Sequence, residues 1–248
     1  MLAEERFSRI LSIIEAEGSA TIQELMTALD ASESTVRRDL ITMDENGLLT
    51  KVHGGAIARR PSVSTHDEDV RNRKTMNAEQ KNAIAKYAAS LIRPDDFVYL
   101  DAGTTTELMI DYLTEKDITF VTNAVSHARK LSMAGYTTYI LGGEFKATTE
   151  AIVGDEAIES LQKYNFTKGF WGTNGVHQKL GFSTPDVKEA KVKEVAMKHC
   201  AKRYVLCDSS KFSQISCVKF GEFAKTCIIT THILDESYRQ CDNIIEVK

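Results

Sequence analysis

Residues 20–40 of the chain read ATIQELMTALDASESTVRRDL and contain two helical patterns separated by a very short turn. Thr21 and Glu24 form a capping box at the start of the first helix, and Ser32 is a favourable N-cap for the second. Each pattern places apolar residues on one helical face: Ile22, Leu25, Met26 and Leu29 in the first, and Val36, Leu40 and Met43 in the second. Two helices joined this tightly predict a helix-turn-helix.

The flanking residues extend this prediction to a winged helix-turn-helix. Upstream, an amphipathic helix ends at Gly18, and its apolar face is formed by Phe7, Ile10, Leu11 and Ile14. Downstream, Gly47 ends the second helix of the motif, and residues 48–57 form two short β-prone runs around Gly54 and Gly55. A hairpin in this position is the wing of a winged helix. We therefore predict an N-terminal all-α winged helix-turn-helix domain over residues 1–58.

The positive charge of this domain is concentrated where a DNA-binding module needs it. Residues 1–60 hold seven basic and ten acidic residues, so composition alone leaves a helical protein-interaction domain as the alternative. Five of the seven basic residues, however, lie on the second helix of the motif, the wing and the segment just after it. The predicted DNA-binding residues are Ser32, Ser34, Thr35, Arg37, Arg38, Lys51, His53, Gly54 and Gly55.

The composition of the whole chain is typical of a soluble globular protein. Its 248 residues carry a net charge of −4, with 42% hydrophobic and 27% charged residues. No apolar run approaches the roughly 18 residues of a membrane span, and the charged first turn is unlike a secretory signal. We therefore expect a cytoplasmic protein without a membrane partner. The five cysteines form no C-x-x-C pair and the histidines show no metal-ligand spacing, so no metal site is predicted.

Strand-like and helical segments alternate through the rest of the chain. Residues 59–75 lack a periodic apolar face and are predicted to form a linker. Beyond them, apolar runs such as Phe97–Leu100 and residues 118–121 alternate with amphipathic segments such as residues 77–91. This alternation predicts an α/β domain with a mostly parallel sheet over residues 76–240. Residues 241–248 are predicted to be a C-terminal strand or tail.

Small polar residues follow several of these strands, and ligands bind at the carboxyl ends of the strands in such sheets. A glycine and three threonines after Asp101 open a helix, where amides, hydroxyls and the helix dipole favour a phosphate. Helix capping without a ligand is the alternative for each turn. Lys188, Lys191 and Lys193 are candidates for attracting a phosphate, and the alternative for them is that they form the solvated face of a helix. The predicted ligand-binding residues are Asp101, Gly103, Thr104, Thr105, Thr106, Thr122, Asn123, Gly142, Gly143, Asn174 and Lys211.

The motifs of both halves resemble those of the DeoR family of bacterial transcriptional regulators. The N-terminal resemblance rests on residues 34–40 (STVRRDL), 47–49 (GLL) and 53–56 (HGGA), which are collinear with the family's DNA-binding domain. The C-terminal motifs resemble its sensor domain, which is Rossmann-like and similar in fold to ribose-5-phosphate isomerase. They are residues 101–105 (DAGTT), 122–123 (TN), 142–143 (GG), 172–175 (GTNG), 181–186 (GFSTPD) and 208–211 (DSSK).

This resemblance implies a repressor of a sugar-utilisation operon whose binding to operator DNA is modulated by a phosphorylated sugar. Residues 148–151 (TTEA) and 182–186 (FSTPD) look most like fructose-operon repressors, which implies fructose 1-phosphate as the effector. No cofactor is expected. A homo-oligomer, either a dimer or a tetramer, is expected because one helix-turn-helix reads only a half-site.

A catalytically active phosphosugar isomerase joined to a DNA-binding domain is the alternative function. An aldose–ketose isomerase needs a positioned base, usually a carboxylate with a shifted pKa. The ribose-phosphate isomerases carry acidic residues in the turn that matches residues 171–175, which here reads WGTNG. Asp101, Asp186 and Glu189 are the nearby carboxylates. The absence of an acidic residue from this turn favours a sensor over an enzyme.

Overall fold

The computed structural model describes residues 3–45, 48–58, 63–65, 69–233 and 235–248. The chain divides into two compact units, Met1–Ser62 with Ile233–Gln240 and Val63–His232 with Cys241–Lys248. Residues 233–240, which the sequence analysis assigns to the second domain, thus group with the first unit. Within the described part of this segment, the regular structure is one short 3₁₀ helix, Glu236–Tyr238, which offers no periodic pattern from which this grouping could be predicted.

The first unit is a winged helix-turn-helix, as the sequence predicts. Its elements are α1 (Ala3–Glu17), β1 (Ser19–Thr21), α2 (Ile22–Leu29), α3 (Glu33–Glu45), β2 (Leu49–Val52) and β3 (Gly55–Ala58). The strands form an antiparallel sheet in the order β1-β3-β2. One apolar core contains Ile10, Leu11, Ile14, Ala20, Ile22, Leu25, Leu29, Val36, Leu40, Met43, Leu49 and Ala56. These residues include most of the apolar positions from which the three helices were predicted.

The helix-turn-helix begins at the predicted capping box. Thr21 Oγ1 accepts a hydrogen bond from the Glu24 amide at 3.2 Å, and Glu24 Oε2 accepts one from the Thr21 amide at 2.7 Å. α2 ends at Asp30, which adopts a left-handed conformation with φ of 48°. α3 then starts after Ser32, so the turn between the two helices is as short as the sequence indicates.

The sequence analysis missed β1 because a three-residue strand shows no alternation of its own. It pairs with β3 through Ser19↔Ile57, Ala20↔Ala56 and Thr21↔Gly55. A Cβ atom on Gly55 would lie 2.2 Å from the carbonyl oxygen of Ala20. Gly54, with φ of +88°, provides the positive φ of the turn, whereas Gly55 permits the close approach of β1 and β3.

An ion pair joins α1 to α3. Arg6 Nε donates to Asp39 Oδ2 at 2.6 Å, and Arg6 Nη2 donates to Asp39 Oδ1 at 3.0 Å, so the contact is bidentate. The hydrogen bond to Asp39 raises the pKa of Arg6. Asp39 is buried, so its negative charge does not lie on the outward face of α3.

The second unit contains a parallel sheet of seven strands. Its elements are β4 (Val63–Ser64), α4 (Val70–Thr75), α5 (Ala78–Ser90), β5 (Phe97–Leu100), α6 (Thr104–Met109), β6 (Thr119–Thr122), α7 (Val125–Met133), β7 (Thr137–Ile140), β8 (Glu144–Lys146), β9 (Ala151–Val153), α8 (Asp155–Leu161), β10 (Phe166–Gly172), β11 (Gly175–His177), β12 (Gly181–Thr184), α9 (Val187–Lys198), β13 (Cys200–Leu206), β14 (Ile215–Ser216), β15 (Val218–Gly221), β16 (Cys227–Thr230) and β17 (Ile244–Glu246). The order in the large sheet is β17-β16-β13-β10-β5-β6-β7. Three smaller sheets accompany it: β11-β12-β15, β14-β4 and β8-β9.

The core of the second unit lies between the large sheet and its helices. One cluster joins α5, α6 and α7 to the sheet, and it includes Ile84, Ala88, Val98, Leu100, Met109, Phe120, Leu131 and Phe170. Tyr99 and Trp171 alternate to the opposite face of their strands, where their ring centroids lie 5.6 Å apart. No helix among the described residues has the length and apolar character needed to cross a membrane.

The segment predicted as a linker contains two short elements. β4 pairs in parallel with β14, and α4 is capped by Asp69, whose carboxylate accepts from the Arg71 amide at 2.8 Å. A two-residue strand and a six-residue helix are too short to produce a periodic apolar pattern, so the sequence analysis missed both. The rest of the predicted linker includes residues 59–62 and 66–68, which lie outside the described residues. The C-terminal residues contribute β17 to the large sheet.

We expect Asp39→Asn to lower the free energy of unfolding of the first unit by about 2 kcal/mol, because it removes the charge from a bidentate, part-buried contact. Urea unfolding of the full chain, followed by helical circular dichroism, measures the change. Trp171, the only tryptophan, reports on the second unit, so its fluorescence transition should not move. Glu45→Gln on the exposed end of α3 is the control. Equal effects of the two substitutions would contradict the structural role of Asp39.

Candidate functional sites

The N-terminal turn of α3 carries a cluster of hydroxyl groups. Ser32 Oγ lies 2.9 Å from Thr35 Oγ1 and 3.1 Å from Ser34 Oγ. The Thr35 amide donates to Ser32 Oγ at 3.4 Å, which makes Ser32 the N-cap that the sequence predicts. Ser32 and Ser34 are exposed and Thr35 is half-buried. The structure therefore brings these three predicted DNA-binding residues together at one end of α3.

Arg37 and Arg38 are both exposed on α3, but they differ in their partners. Arg37 Nε donates to Glu33 Oε1 at 2.8 Å, one helical turn earlier, and Arg37 Nη2 lies 2.6 Å from the same oxygen. The side chain of Arg38 has no hydrogen bond or ion pair with the described residues. An anion can therefore bind Arg38 directly, whereas it must displace Glu33 to bind Arg37 in the same way.

The wing presents a mixed surface next to α3. Lys51, His53 and Gly54 are exposed, whereas Gly55 is buried against β1. The Lys51 amide donates to Asp44 Oδ1 at 3.2 Å, which fastens the start of the wing to the end of α3. Among the described residues of this unit, the large apolar side chains that are exposed are Ile41, Val52 and Ile57. The exposed residues of the wing thus include the predicted phosphate contacts Lys51 and His53.

A polar cavity lies at the carboxyl edge of the large sheet, where β5, β10 and β13 end. Its wall includes residues from the turns that follow these three strands: Ala102, Gly103, Thr104, Thr105, Gly172, Thr173, Asn174, Cys207, Asp208 and Lys211. The other wall residues are Leu206 at the end of β13 and residues from α4, α5, α9 and neighbouring loops: Arg73, Met76, Asn77, Lys81, Thr149, Glu189 and Lys193. The cavity therefore occupies the place where open parallel sheets bind ligands.

Four basic side chains line this cavity: Arg73, Lys81, Lys193 and Lys211. Lys81 and Lys193 are buried. Lys81 Nζ donates to the carbonyl oxygen of Arg73, and Lys193 Nζ forms an ion pair with Asp101. Arg73 Nε is buried without a hydrogen-bond partner among the described residues. Lys211 makes no side-chain hydrogen bond or ion pair within that part of the chain. Arg73 and Lys211 thus have donor capacity left for a ligand.

Three carboxylates surround the same cavity, and protein donors bind each of them. Asp101 lies beneath the wall, where its Oδ2 accepts from Lys193 and from the Gly172 amide at 3.2 Å. Burial raises the pKa of Asp101 to about 6, although Lys193 acts in the opposite direction. Glu189 Oε1 accepts from Thr149 Oγ1 and from Lys146 Nζ at 3.0 Å. Asp208 accepts from the side-chain amide of Asn77, also at 3.0 Å.

The structure places five of the predicted ligand-binding residues on the cavity wall: Gly103, Thr104, Thr105, Asn174 and Lys211. Asp101 lies underneath, and Thr106 Oγ1 donates to the carbonyl oxygens of Asp101 and Gly103. Asn123 Oδ1 accepts from the Ala102 amide at 2.9 Å, which holds the turn after β5. Thr122 Oγ1 accepts from the Ala124 amide at 3.1 Å. Gly142 and Gly143 follow β7 and do not line this cavity.

Sequence analysis missed Arg73 and Lys81 on the cavity wall, named Glu189 only as a nearby carboxylate, and left the role of Lys193 open. Lys81 shares one face of α5 with Ile84, Ala85 and Ala88, and Lys193 shares one face of α9 with Ala190 and Ala196. A lysine within an apolar helical stripe is therefore the signal that identifies buried cavity cations. Lys188 and Lys191 are exposed and pair with Glu144 and Glu194, so they form the solvated face of α9.

His127 on α7 supports the cavity wall from behind. The side chain is buried, and its Nε2 lies 3.1 Å from the carbonyl oxygen of Gly103. Burial lowers the pKa of His127 to about 4, so the ring is neutral at pH 7 and Nε2–H donates to Gly103. The sequence analysis noted only that the histidines show no metal-ligand spacing. The structure makes His127 a buried residue that fixes the turn after β5.

The thiols and the potential metal ligands form no site of their own. No group of His, Cys, Asp or Glu among the described residues is arranged to hold a metal ion. All five cysteines are free thiols. Burial raises the pKa of Cys200 to about 12 and raises that of Cys207 further, so neither forms a reactive thiolate at neutral pH.

Comparison with known proteins identifies a family for each half of the chain. Residues 6–61 match the DeoR-like helix-turn-helix domain, and residues 76–232 match the DeoR C-terminal sensor domain. A protein of Bacillus subtilis strain 168 named uncharacterized HTH-type transcriptional regulator FruR is 44% identical over 232 residues, which cover 93% of this chain and 92% of that protein. The lactose phosphotransferase system repressor of Staphylococcus epidermidis is 32% identical over 248 residues, 98% of each chain.

Solved structures of two isomerases resemble a little over half of the chain. Ribose 5 phosphate isomerase A from Neisseria gonorrhoeae aligns with a TM-score of 0.43 and 15% identity, covering 56% of each chain. The ribose 5-phosphate isomerase of Methanocaldococcus jannaschii aligns with a TM-score of 0.40 and 16% identity, covering 55% of each chain.

We expect the stability cost of His127→Leu to shrink by roughly 2 kcal/mol between pH 7 and pH 4.5. The unfolded chain protonates this histidine below about pH 6.5, whereas the folded chain does so only near pH 4. The wild type therefore loses stability as the pH falls through this window, and the leucine variant does not share that loss. Urea unfolding followed by Trp171 fluorescence at both pH values measures the difference.

Leu131→Val is the control for this prediction, because Leu131 is buried on the same helix and does not titrate. Its cost should be the same at pH 7 and pH 4.5. A pH-independent cost for His127→Leu would contradict the buried, neutral state of the ring.

Proposed function

Because the chain belongs to the DeoR family of helix-turn-helix transcriptional regulators, we propose that it represses a sugar-utilisation operon and that a phosphorylated sugar modulates its binding to DNA. One observation carries the effector part of this proposal. The sensor unit gathers four basic side chains in one polar cavity, and two of them, Arg73 and Lys211, have donor capacity left. A dianionic ligand of small size suits such a cavity.

The first unit supports binding to operator DNA through α3. We propose that α3 enters the major groove, where Arg37 and Arg38 contact phosphates or guanine edges and the Ser34–Thr35 turn lies nearest the bases. Lys51 and His53 of the wing then contact the neighbouring backbone. Burial of Asp39 against Arg6 removes one of the four acidic side chains of α3 from the surface that would face the DNA.

A helix-turn-helix of this kind reads one half-site, so operator binding by a single copy would be weak. We therefore propose a homo-oligomer, either a dimer or a tetramer, as the DNA-binding form. Two copies on one operator convert the second contact into an intramolecular event, which raises the overall affinity without any new contact.

The chemistry of the cavity supports a phosphosugar as the effector. A phosphate monoester carries close to two negative charges at neutral pH, and Arg73, Lys81 and Lys211 offer charged donors on the same wall. The hydroxyls of Thr104 and Thr105 add donors without bulk. Glu189, already held by Thr149 and Lys146, can accept hydrogen bonds from sugar hydroxyls with its remaining acceptor capacity. Asn174 lies on the same wall and can both donate and accept.

Fructose 1-phosphate is our first candidate for the sugar. Its support is the resemblance of residues 148–151 and 182–186 to fructose-operon repressors, together with the 44% identity to the regulator named FruR. Thr149, within the first of these segments, lies on the cavity wall. Tagatose 6-phosphate and fructose 1,6-bisphosphate are the next candidates.

We infer further that the cavity senses its ligand without converting it. A base that isomerises a sugar must reach a proton on the substrate carbon. Asp101 has no exposed surface and is bound by Lys193, and Glu189 is bound by Thr149 and Lys146. Incubating the purified protein with ribose, fructose and tagatose phosphates should therefore yield no isomerised product. Turnover of any of them would instead support the isomerase alternative.

We expect Arg38→Ala to weaken operator binding by about 1–3 kcal/mol, because its guanidinium has no partner within the described residues and is available to the DNA. Arg37→Ala should cost less, since wild-type Arg37 must first leave Glu33. Fluorescence anisotropy measures the affinity of both variants for a DNA fragment that the wild type selects from a random pool. Arg129→Ala removes the same charge from the exposed surface of the sensor unit and is the control. Wild-type affinity in the Arg38 variant would exclude α3 as the recognition helix.

We expect Lys211→Ala to weaken phosphosugar binding by about 10–100-fold, because it removes a charged donor worth roughly 1.5–3 kcal/mol. Isothermal titration calorimetry with the three candidate sugars measures the change. Lys163→Ala, on the exposed surface outside the cavity, removes the same charge and should leave the affinity unchanged. If none of the three sugars binds the wild type at millimolar concentration, the effector proposal is wrong. If they bind and Lys211→Ala has no effect, the site lies elsewhere.

A further inference from the structure

β7, at one edge of the seven-stranded sheet, lacks the protection that exposed edge strands normally carry. Edge strands are usually guarded by charged residues, proline or bulges, because their unpaired N–H and C=O groups bind further strands. Residues 135–143 (GYTTYILGG) contain no charged residue and no proline. The opposite edge differs, since β17 lies among Asp242, Glu246 and Lys248. The two edges of the sheet therefore differ in charge: β7 is uncharged, whereas charged residues lie on and around β17.

The hydrogen bonding of β7 to β6 shows which of its backbone groups face outward. The Leu141 amide donates to the carbonyl oxygen of Thr122 at 3.0 Å, so Leu141 and Tyr139 direct their backbone groups toward β6. Neighbouring residues of a strand point their backbone groups in opposite directions, so Thr138 and Ile140 face the open edge. Thr138 Oγ1 caps the carbonyl oxygen of Tyr136 at 3.0 Å. The groups of Thr138 and Ile140 are thus the ones available to another strand.

Large apolar side chains are exposed on β7 and on the elements next to it in the chain. Tyr139 is 50% exposed and Ile140 is 46% exposed. Met133, at the end of α7, and Phe145, on β8, are more than half exposed. Successive residues of a strand project to opposite faces, so Tyr139 and Ile140 make both faces of this edge apolar. Pairing with another strand would remove part of this surface from water.

We propose that β7 pairs in an antiparallel manner with β7 of a second copy of this chain, so that the two large sheets become continuous. A two-fold axis normal to the sheet makes this strand its own complement, because the same residues then face each other on both sides. An uncharged edge presents no like charges to oppose such self-pairing. The choice of a second copy as the occupant also rests on the proposed function, since operator binding by half-sites needs two copies.

We assign the register in which both outward-facing residues, Thr138 and Ile140, form hydrogen-bonded pairs across the two-fold axis. Thr138 of one subunit and Ile140 of the other form a hydrogen-bonded pair, and the reciprocal pair forms across the axis. Tyr139 then lies directly opposite its own counterpart as a non-hydrogen-bonded pair, with Cα atoms about 4.5 Å apart. Thr137 of each subunit lies opposite Leu141 of the other, so the two Thr137 residues are far from each other.

Sedimentation of the full chain without DNA or sugar tests the surface. We expect a dimer for the wild type and at least a tenfold weaker dimer for Tyr139→Lys, because two lysines would face each other across the axis. Val187→Lys is the control, since Val187 on α9 is an exposed apolar residue on another element. A monomeric wild type, or a Tyr139→Lys variant as dimeric as the control, would overturn the proposal.

Disulfide cross-linking tests the register. Tyr139→Cys should form an intersubunit disulfide on mild oxidation that a reductant reverses, because Cα atoms at this separation satisfy disulfide geometry. Thr137→Cys, on the same strand, should not cross-link, and the wild type gives the background from exposed Cys217. Cross-linking of Thr137→Cys without that of Tyr139→Cys would overturn the register. A dimer that binds no DNA would contradict the proposed function and leave this interface intact, so the two failures are distinguishable.

Discussion

The buried ion pair between Lys193 and Asp101 is the contact on which the sensor cavity depends. It joins α9 to the end of β5, and the same carboxylate accepts the Gly172 amide at the end of β10. Removing one partner would leave an uncompensated charge in the interior, which costs several kcal/mol. Three elements that are distant in sequence are therefore held at one point. The wall of the cavity consists of the turns and helix surfaces that this contact keeps in place.

The two units use buried carboxylates in a common way. A charge that is removed from water needs a partner of opposite sign. Asp39 in the first unit and Asp101 in the second are both buried, and each has such a partner. Each therefore determines where a cation lies: Arg6 between α1 and α3, and Lys193 behind the cavity. In the first unit this arrangement leaves the basic residues of α3 on the surface. In the second unit it brings a lysine into the interior beside the polar cavity.

Local sequence patterns were sufficient to predict the longer helices and the main strands of both units. The capping box at Thr21, the apolar face of α2 and the alternation of strands and helices led directly to the helix-turn-helix and the parallel sheet. β1 and α4 were missed because three and six residues are too few to repeat a strand or helix pattern clearly. On the cavity wall, turn residues such as Gly103 were predictable from the strand that precedes them, whereas Arg73 and Lys81 were not. Their approach to the site depends on the packing of α4 and α5, which no local pattern contains.

The ion pair between Arg37 and Glu33 affects how strongly DNA binding by α3 depends on salt concentration. Binding that neutralises phosphates releases counterions, and each phosphate contact makes the slope of log K against log salt concentration more negative by about 0.9. A guanidinium that already faces a carboxylate exchanges one anion for another and adds little net neutralisation. The steepness of the salt dependence would then reflect Arg38 and Lys51 more than Arg37. The affinity of α3 for DNA would depend less on ionic strength than its count of basic residues suggests.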